Sequence, residues 1–164
     1  MSVLSPFQGK IRQFRPDEAQ ACCKLIHACI DRDSEIPPAL REKLRSAESP
    51  LNMQERAKLF YLVVDESEEG IVGLAGLDMS EVRLLYVSPE CRGRGIGRAL
   101  LEHLEAMVPA ALFTDMFVYS TYAAVGFYRA YGFMEKGEFS FDFDGESLRT
   151  VFMTLRVSGT GERC

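Results

Sequence analysis

Residues 90–100, with the sequence ECRGRGIGRAL, combine three glycines at alternate positions with three arginines. Arginine supplies positive charge and paired donors for an oxyanion, and glycine lets the main chain approach a ligand closely. Pro89 ends the preceding strand, and a helix is predicted to begin near 95–97. The first turn of a helix presents unpaired N–H groups and the positive end of the helix dipole. The stretch therefore predicts a binding site for phosphate.

The spacing of the glycines limits which phosphate ligand fits. The phosphate loop of nucleotide hydrolases is excluded, because neither its glycine spacing nor its lysine is present. The dinucleotide fingerprint G-x-G-x-x-G/A fails in both frames, since its last position falls on Arg98 counted from Gly93 and on Leu100 counted from Gly95. Asp115 lies about twenty residues downstream, where a ribose-binding acid would stand. A dinucleotide-binding oxidoreductase is therefore one alternative, and a glycine-rich turn with merely exposed arginines is another.

The elements that must position this stretch are those of a mixed α/β protein. Alternating and helical hydrophobic spacings predict the order β-α-α-β-β-β-α-β-α-β-β, with ESPLN at 48–52 as a helix breaker. Hairpins and crossovers occur together, so we expect one mixed, mostly antiparallel central sheet with helices on both faces. Strict alternation in the strand 81–87 predicts Val82, Leu84 and Tyr86 on one face and Glu81, Arg83, Leu85 and Val87 on the other.

Composition and charge limit the class of protein. A length of 164 residues predicts one domain over 1–164, with a core at about 10–157 and a frayed end at 158–164. A formal net charge of −5 argues against nucleic-acid binding. We expect no membrane segment and no secretory signal, because no apolar run approaches about 20 residues and the first ten residues lack the signal pattern. Five cysteines without CxxC spacing predict a reduced, cytoplasmic protein without a bound metal.

The phosphate stretch resembles the cofactor loop of the GCN5-related N-acetyltransferases (GNAT family). That loop reads Q/R-x-x-G-x-G/A, which here is Arg92-Gly93-Arg94-Gly95-Ile96-Gly97. A second match, AAVGFYRAYGF at 123–133, is similar to the family's A-x-x-x-Y-x-x-x-GF helix and places Tyr128 at its functional tyrosine. The two motifs have the family's order and separation. The resemblance implies a GNAT-like fold and a transferase with acetyl-CoA as cosubstrate and no metal.

The resemblance also implies roles for individual residues. The pantetheine arm of acetyl-CoA is expected along the strand 81–87, the diphosphate on the backbone amides of 92–97, and Tyr128 opposite the thioester sulfur. Thr121 stands where the family often has asparagine, and it lacks the paired donor and acceptor of that amide. The implied cofactor-binding residues are Leu85, Tyr86, Val87, Arg92, Gly93, Arg94, Gly95, Ile96, Gly97, Arg98 and Thr121.

The implied reaction is direct acetyl transfer to a primary amine. An alkylamine with a pKa near 10.4 attacks only as the free base, so a carboxylate acting through water is one way to remove its proton. Glu81 falls at the position of the catalytic glutamate of the histone-modifying branch and is the candidate base, with Asp78 behind it. The alternative interpretation of Glu81 is a residue that only flanks a strand. Tyr128 is the candidate acid for the leaving thiolate, and a free amide of 81–87 is expected to stabilise the oxyanion.

The acceptor is expected to be a small-molecule or peptide amine between the segment 31–58 and the hairpin loop near 144–148. Their acidic residues suggest a cationic amine, such as a polyamine, an aminoglycoside or a peptide lysine, and an ordinary acidic surface is the alternative. A route through Cys91 is rejected, because no histidine partner is evident. A non-catalytic acyl-CoA sensor is the alternative from another class of protein. We expect a monomer or a homodimer. The acidic residues are Asp31, Asp33, Glu35, Asp142, Asp144 and Glu146.

Overall fold

The computed structural model describes residues 9–157. The predicted frayed end at 158–164 lies outside the described residues. The helices are α1 (Ala19–Arg32), α2 (Pro38–Ala47), α3 (Pro50–Leu59), α4 (Ile96–Met107) and α5 (Val125–Tyr131). The strands are β1 (Lys10–Gln13), β2 (Tyr61–Ser67), β3 (Gly70–Asp78), β4 (Glu81–Val87), β5 (Asp115–Ser120), β6 (Met134–Phe143) and β7 (Glu146–Arg156).

The strands form a seven-stranded sheet in the order β1-β2-β3-β4-β5-β7-β6. Every neighbouring pair is antiparallel except β4 and β5, which are parallel. Ile26, Leu40 and Met53, from α1, α2 and α3, pack in one apolar cluster against one side of the sheet. We call this side the α1 face. Leu100 of α4 and Tyr128 of α5 pack in a second cluster, on what we call the α4 face. The mixed, mostly antiparallel sheet with helices on both faces is therefore confirmed.

One helix is missing from the predicted order, although the sequence suggests a further helical turn in MQERAKL at 53–59. The segment ESPLN was interpreted as a breaker, but it starts α3. The Ser49 hydroxyl accepts a hydrogen bond from the Asn52 amide at 3.2 Å, and Pro50 occupies the first turn, where its missing N–H costs nothing. The helix buries Met53 completely, at 0% exposure. The same residues that end α2 therefore begin α3.

The prediction of strict alternation along β4 was wrong. The register passes from Gly76 opposite Leu84 to Leu77 opposite Val82, so that Arg83 has no partner on β3. This irregularity inserts one residue, which exchanges the faces on either side of it. Val82 accordingly joins the cluster of the α4 face, whereas Leu84 joins that of the α1 face.

The sheet opens between its two parallel strands. β4 and β5 share a single register pair, Glu81 with Phe117, and the Phe117 amide also donates to the carbonyl oxygen of Ser80 at 2.9 Å. Beyond that pair, no register pairing joins the two strands within residues 9–157. The carboxyl end of β4 therefore has its main chain exposed toward β5, which is consistent with the free amide of 81–87 that the sequence predicts.

Asp65 of β2 is a buried acid, 2% exposed, and its Oδ1 atom has no hydrogen-bond partner among residues 9–157. Burial raises the pKa of this carboxyl. A raised folded-state pKa means that stability falls as the pH rises from the unfolded-state pKa of about 3.9 to the higher pKa of the folded state. We predict that Asp65→Asn increases the free energy of unfolding at pH 8 by on the order of 1 kcal/mol.

Urea denaturation of both proteins from pH 8 to pH 4.5 measures this effect. The advantage of Asp65→Asn should shrink as the pH falls, because burial makes protonation of the wild-type carboxyl more favourable in the folded state than in the unfolded state. An advantage that is independent of pH would show that Asp65 is accommodated as a carboxylate.

Candidate active site

A cleft of about 680 Å³ lies at the opening between β4 and β5. Its wall joins the end of β4, the glycine and arginine stretch, the start of α4 and the helix α5. Arg94 and Glu81 are not part of this wall. The predicted site residues that do line the cleft are Leu85, Tyr86, Val87, Arg92, Gly93, Gly95, Ile96, Gly97, Arg98, Thr121 and Tyr128.

Two glycines give the loop before α4 its shape. Gly93 has φ 78° and Gly95, the residue that precedes α4, has φ 84°. Both values lie in the left-handed region, which a residue with a Cβ atom adopts only at a cost. A Cβ atom built on either glycine meets no other atom within 4 Å. The side of the loop that a side chain would occupy is therefore open to a ligand.

The backbone amides of this loop are unused. Within residues 9–157, no backbone hydrogen bond has its donor in the amides of 92–98, and the first bond of α4 runs from the Ala99 amide to the Gly95 carbonyl at 3.0 Å. Unpaired amides at the start of a twelve-residue helix are suited to an anion, since the helix dipole adds positive potential there.

The arginines of the stretch differ in their surroundings. Arg92 is exposed, and its Nε atom donates to the Val87 carbonyl at 3.4 Å. Arg98 is paired with Glu102 at 3.1 Å and lies over the ring of Tyr131, 5.3 Å from its centroid. Both residues line the cleft, so they add positive charge beside the free amides.

Tyr128 reaches the cleft from α5 and is 5% exposed. Its ring packs against Phe127 at 5.1 Å and Phe133 at 5.3 Å between centroids. Gly97 permits this arrangement, because a Cβ atom there would approach the Phe127 ring to 3.2 Å. Burial raises the pKa of Tyr128, and the neighbouring Tyr86 adds to the effect. The phenol therefore stays protonated at neutral pH and is able to donate its proton.

Glu81 lies at the start of β4, away from the loop at the other end of that strand. Its side chain is 19% exposed and is paired with Arg83 at 3.3 Å. It does not line the cleft. Its role as the general base is therefore still a prediction. Asp115 does not line the cleft either, and its carboxylate faces Arg156 at 3.9 Å. The acid that the dinucleotide alternative relied on therefore lies outside the lining of this cleft.

The sequence predicts an acceptor side beside 31–58 and names Asp33 there, but it does not identify the other wall residues from α1, α2 and the turns that follow them. Cys29, Ile36, Leu44 and Glu48 line the cleft on this side. The Cys29 thiol donates to the Val87 carbonyl at 3.2 Å, and burial raises its pKa. Cys91 also lines the cleft, is 3% exposed and has Glu69 at 3.8 Å. No motif marks Cys29, Ile36, Leu44 or Glu48, because their positions follow from the packing of α1 and α2.

The acidic residues predicted for the acceptor side are dispersed. Asp33 lines the cleft, and the other five do not. Asp31 is paired with Arg45 at 2.5 Å, and Asp142 accepts from the Gly145 amide at 3.0 Å within the hairpin turn. No group of three possible metal ligands occurs in the described part of the chain. In the same residues, no helix is long and apolar enough to cross a membrane.

Comparisons with known proteins show which family this chain resembles. Residues 32–156 match the acetyltransferase (GNAT) domain. The peptidyl-lysine N-acetyltransferase YjaB of Salmonella typhimurium is 30% identical over 133 residues, which is 80% of this chain and 88% of the relative. A GCN5-related N-acetyltransferase from Rhodopseudomonas palustris has a similar structure, with a TM-score of 0.86 and 21% identity over 93% of this chain and 98% of that one.

A second solved structure is the PaiA N-acetyltransferase of Thermoplasma acidophilum in complex with coenzyme A. Its TM-score is 0.70 and its identity 17%, over 92% of this chain and 99% of that one. The matched domain includes both the glycine loop and the helix of Tyr128. The chain belongs to the GCN5-related N-acetyltransferase family and is an acetyl-CoA-dependent acyltransferase.

Proposed function

We propose that the enzyme transfers the acetyl group of acetyl-CoA directly to the ε-amino group of a peptide lysine. The observation that carries the proposal is the set of free amides at 92–98, which lies in one cleft with Tyr128 at the opening of the sheet. The match to YjaB, which is named a peptidyl-lysine N-acetyltransferase, supports lysine as the acceptor.

Successive parts of acetyl-CoA would contact different residues along the cleft. The diphosphate would be held by the amides of 92–98 and by Arg92 and Arg98, which supply charge-assisted hydrogen bonds. The pantetheine arm would lie along the unpaired end of β4, between Leu85 and Val87. The thioester supplies the activated acetyl group. Because the Val87 carbonyl already accepts from Cys29, we infer that the pairing uses the β4 main chain before it.

Tyr128 would protonate the thiolate of coenzyme A as the bond to the acetyl carbon breaks. A thiol with a pKa near 8.5 is a fair leaving group, so this protonation assists the step without being indispensable. A β4 amide that faces the opening would stabilise the oxyanion. Cys91 takes no covalent part in this scheme, because its neighbour is the Glu69 carboxylate at 3.8 Å, whereas a nucleophilic cysteine needs a base such as histidine.

Thermal unfolding with separate ligands tests the cofactor part of the proposal. Acetyl-CoA at 100 times its Kd should stabilise the protein by about 2.7 kcal/mol, and coenzyme A should act similarly, since both carry the diphosphate. NAD should have no effect. Stabilisation by NAD without stabilisation by coenzyme A would favour the oxidoreductase alternative.

Release of coenzyme A in the presence of lysine peptides tests the transfer itself. We expect turnover with lysine peptides and none with peptides whose lysines are replaced by norleucine. Binding of acetyl-CoA without turnover on any amine would instead favour the non-catalytic sensor.

A further inference from the structure

Glu48 is a carboxylate of the cleft that the proposed reaction does not yet use. It lies in the turn between α2 and α3, and its side chain is only 11% exposed. It lines the same cleft as Tyr86 and Tyr128. Its charge contributes, after burial, to the raised pKa of Tyr86, and Tyr86 in turn contributes to that of Tyr128. The three groups are therefore electrostatic neighbours along the wall.

The position of Glu48 is fixed from two sides. Arg56 donates to its two carboxylate oxygens at 2.5 and 3.0 Å. The Nε2–H group of His27 donates to the Glu48 backbone carbonyl at 2.9 Å and to that of Arg45 at 3.0 Å. A carboxylate has about four lone-pair positions and a bidentate arginine uses two of them, so Glu48 is able to accept from a further cation.

The surroundings of Glu48 suit a long alkylammonium group. Ile36, Leu44 and Leu148 supply apolar side chains to the same cleft, which match the four methylene groups of a lysine. Asp33 also lines the cleft, but its Oδ1 atom accepts from the Glu35 amide at 3.0 Å in a local turn. Glu48 is thus the acid of the two whose carboxylate is held by a neighbouring side chain and not by a local turn.

We propose that Glu48 binds the ammonium group of the acceptor lysine beside Tyr86 and thereby selects a cationic acceptor with an apolar stem. This inference rests on the proposed lysine acetylation and assigns the residue that recognises its substrate. Glu48 acts in binding, before the amine loses its proton and attacks. Its loss should therefore raise KM for the peptide more than it lowers kcat.

Calorimetry with the enzyme saturated with coenzyme A tests the assignment without turnover. The probes are a lysine peptide and the same peptide with norleucine, which keeps the stem and lacks the amine. Wild type should bind the lysine peptide at least about tenfold more tightly than the norleucine peptide. This difference corresponds to the contribution of one hydrogen bond to a charged group. In Glu48→Gln the ratio of the affinities for the lysine and norleucine peptides should fall to about one, with the affinity for coenzyme A unchanged.

Arg56→Gln is the matched control, because it breaks the same ion pair and leaves the carboxylate in the cleft. Its lysine-to-norleucine ratio should stay at the wild-type value or increase. If both variants lose the ratio equally, the pair is structural and the proposal is wrong. The proposal is also wrong if Glu48→Gln keeps the ratio, or if wild type binds both peptides equally. Failure of the proposed function is seen separately, as acetyl-CoA binding without turnover of any lysine peptide by wild type.

Discussion

Replacing Tyr128 by phenylalanine is expected to lower kcat about 100-fold, within the usual range for loss of a general acid. The hydroxyl is the only group removed, and the ring keeps its contacts with Phe127 and Phe133. The loss should therefore appear in the chemical step and not in stability or in the Kd of acetyl-CoA. Single-turnover kinetics measure it, because slow release of product could otherwise hide the change.

Tyr131→Phe provides the comparison for this prediction. Tyr131 lies three residues further along α5 and also lines the cleft, but its hydroxyl bonds to Glu105. We expect a change of less than about threefold, smaller than any general-acid contribution. A Tyr128→Phe enzyme with the wild-type single-turnover rate would remove Tyr128 from the mechanism and leave it as a core aromatic.

The pH dependence follows from the direction of the pKa shift. Burial raises the pKa of Tyr128 above its ordinary value of about 10, so the phenol keeps its proton throughout the neutral and mildly alkaline range. Below the pKa of the amine, raising the pH increases the fraction of free base. The single-turnover rate of wild type should therefore rise between pH 7 and pH 9, with no fall from loss of the phenolic proton in that range.

The parts of the site that the sequence predicted are those encoded locally. A left-handed turn needs glycine, and the start of a helix offers free amides. Both features fall within Arg92–Gly97, so the residue types alone indicate the function. The helix of Tyr128 is equally local, because its stripe and its terminal Gly132, with φ 127°, lie within one short stretch. The structure places Tyr128 and the predicted residues of 92–97 in the lining of the cleft, with the exception of Arg94.

The position of Glu81 could not be predicted from periodicity. Side chains alternate strictly between the two faces of a sheet only along an uninterrupted strand. In β4 one unpaired residue, Arg83, exchanges the faces on either side of it. The sequence contains no glycine or proline at this point to signal the irregularity. The predicted alternation was therefore wrong, and the structure leaves the carboxylate outside the lining of the cleft.

Glu48 illustrates a different limit. It follows α2 in a segment interpreted as a breaker, and nothing near it in sequence resembles a motif. Its relation to the cleft depends on the packing of three helices against one face of the sheet and on an ion pair with Arg56, eight residues away. Tertiary contacts of this kind place specificity residues without a local signature, which is why the acceptor side was the least predictable part of the molecule.

Gly95→Val is expected to raise the Kd of acetyl-CoA about 100-fold. Gly95 has φ 84°, which costs a residue with a Cβ atom roughly 1–2 kcal/mol and a β-branched one more. The free protein relieves this strain by rotating the loop, and that rotation turns the amides of 92–98 away from the diphosphate. Each charge-assisted hydrogen bond to the diphosphate that is lost weakens binding by about 1.5–3 kcal/mol. A total loss of roughly 2.7 kcal/mol corresponds to two orders of magnitude in Kd. Calorimetric titration with acetyl-CoA measures the change.

Gly126→Val is the matched substitution, because Gly126 lies in α5, is exposed and has no other atom within 4 Å of a built Cβ. Its φ is not positive, and valine is a better helix residue than glycine. We expect an unchanged Kd for acetyl-CoA in this variant. If Gly95→Val also binds with the wild-type Kd while it remains folded by circular dichroism, the amides before α4 do not hold the diphosphate. The cofactor would then have to be held elsewhere in the cleft, with Arg92 and Arg98 as the remaining positive groups of its lining.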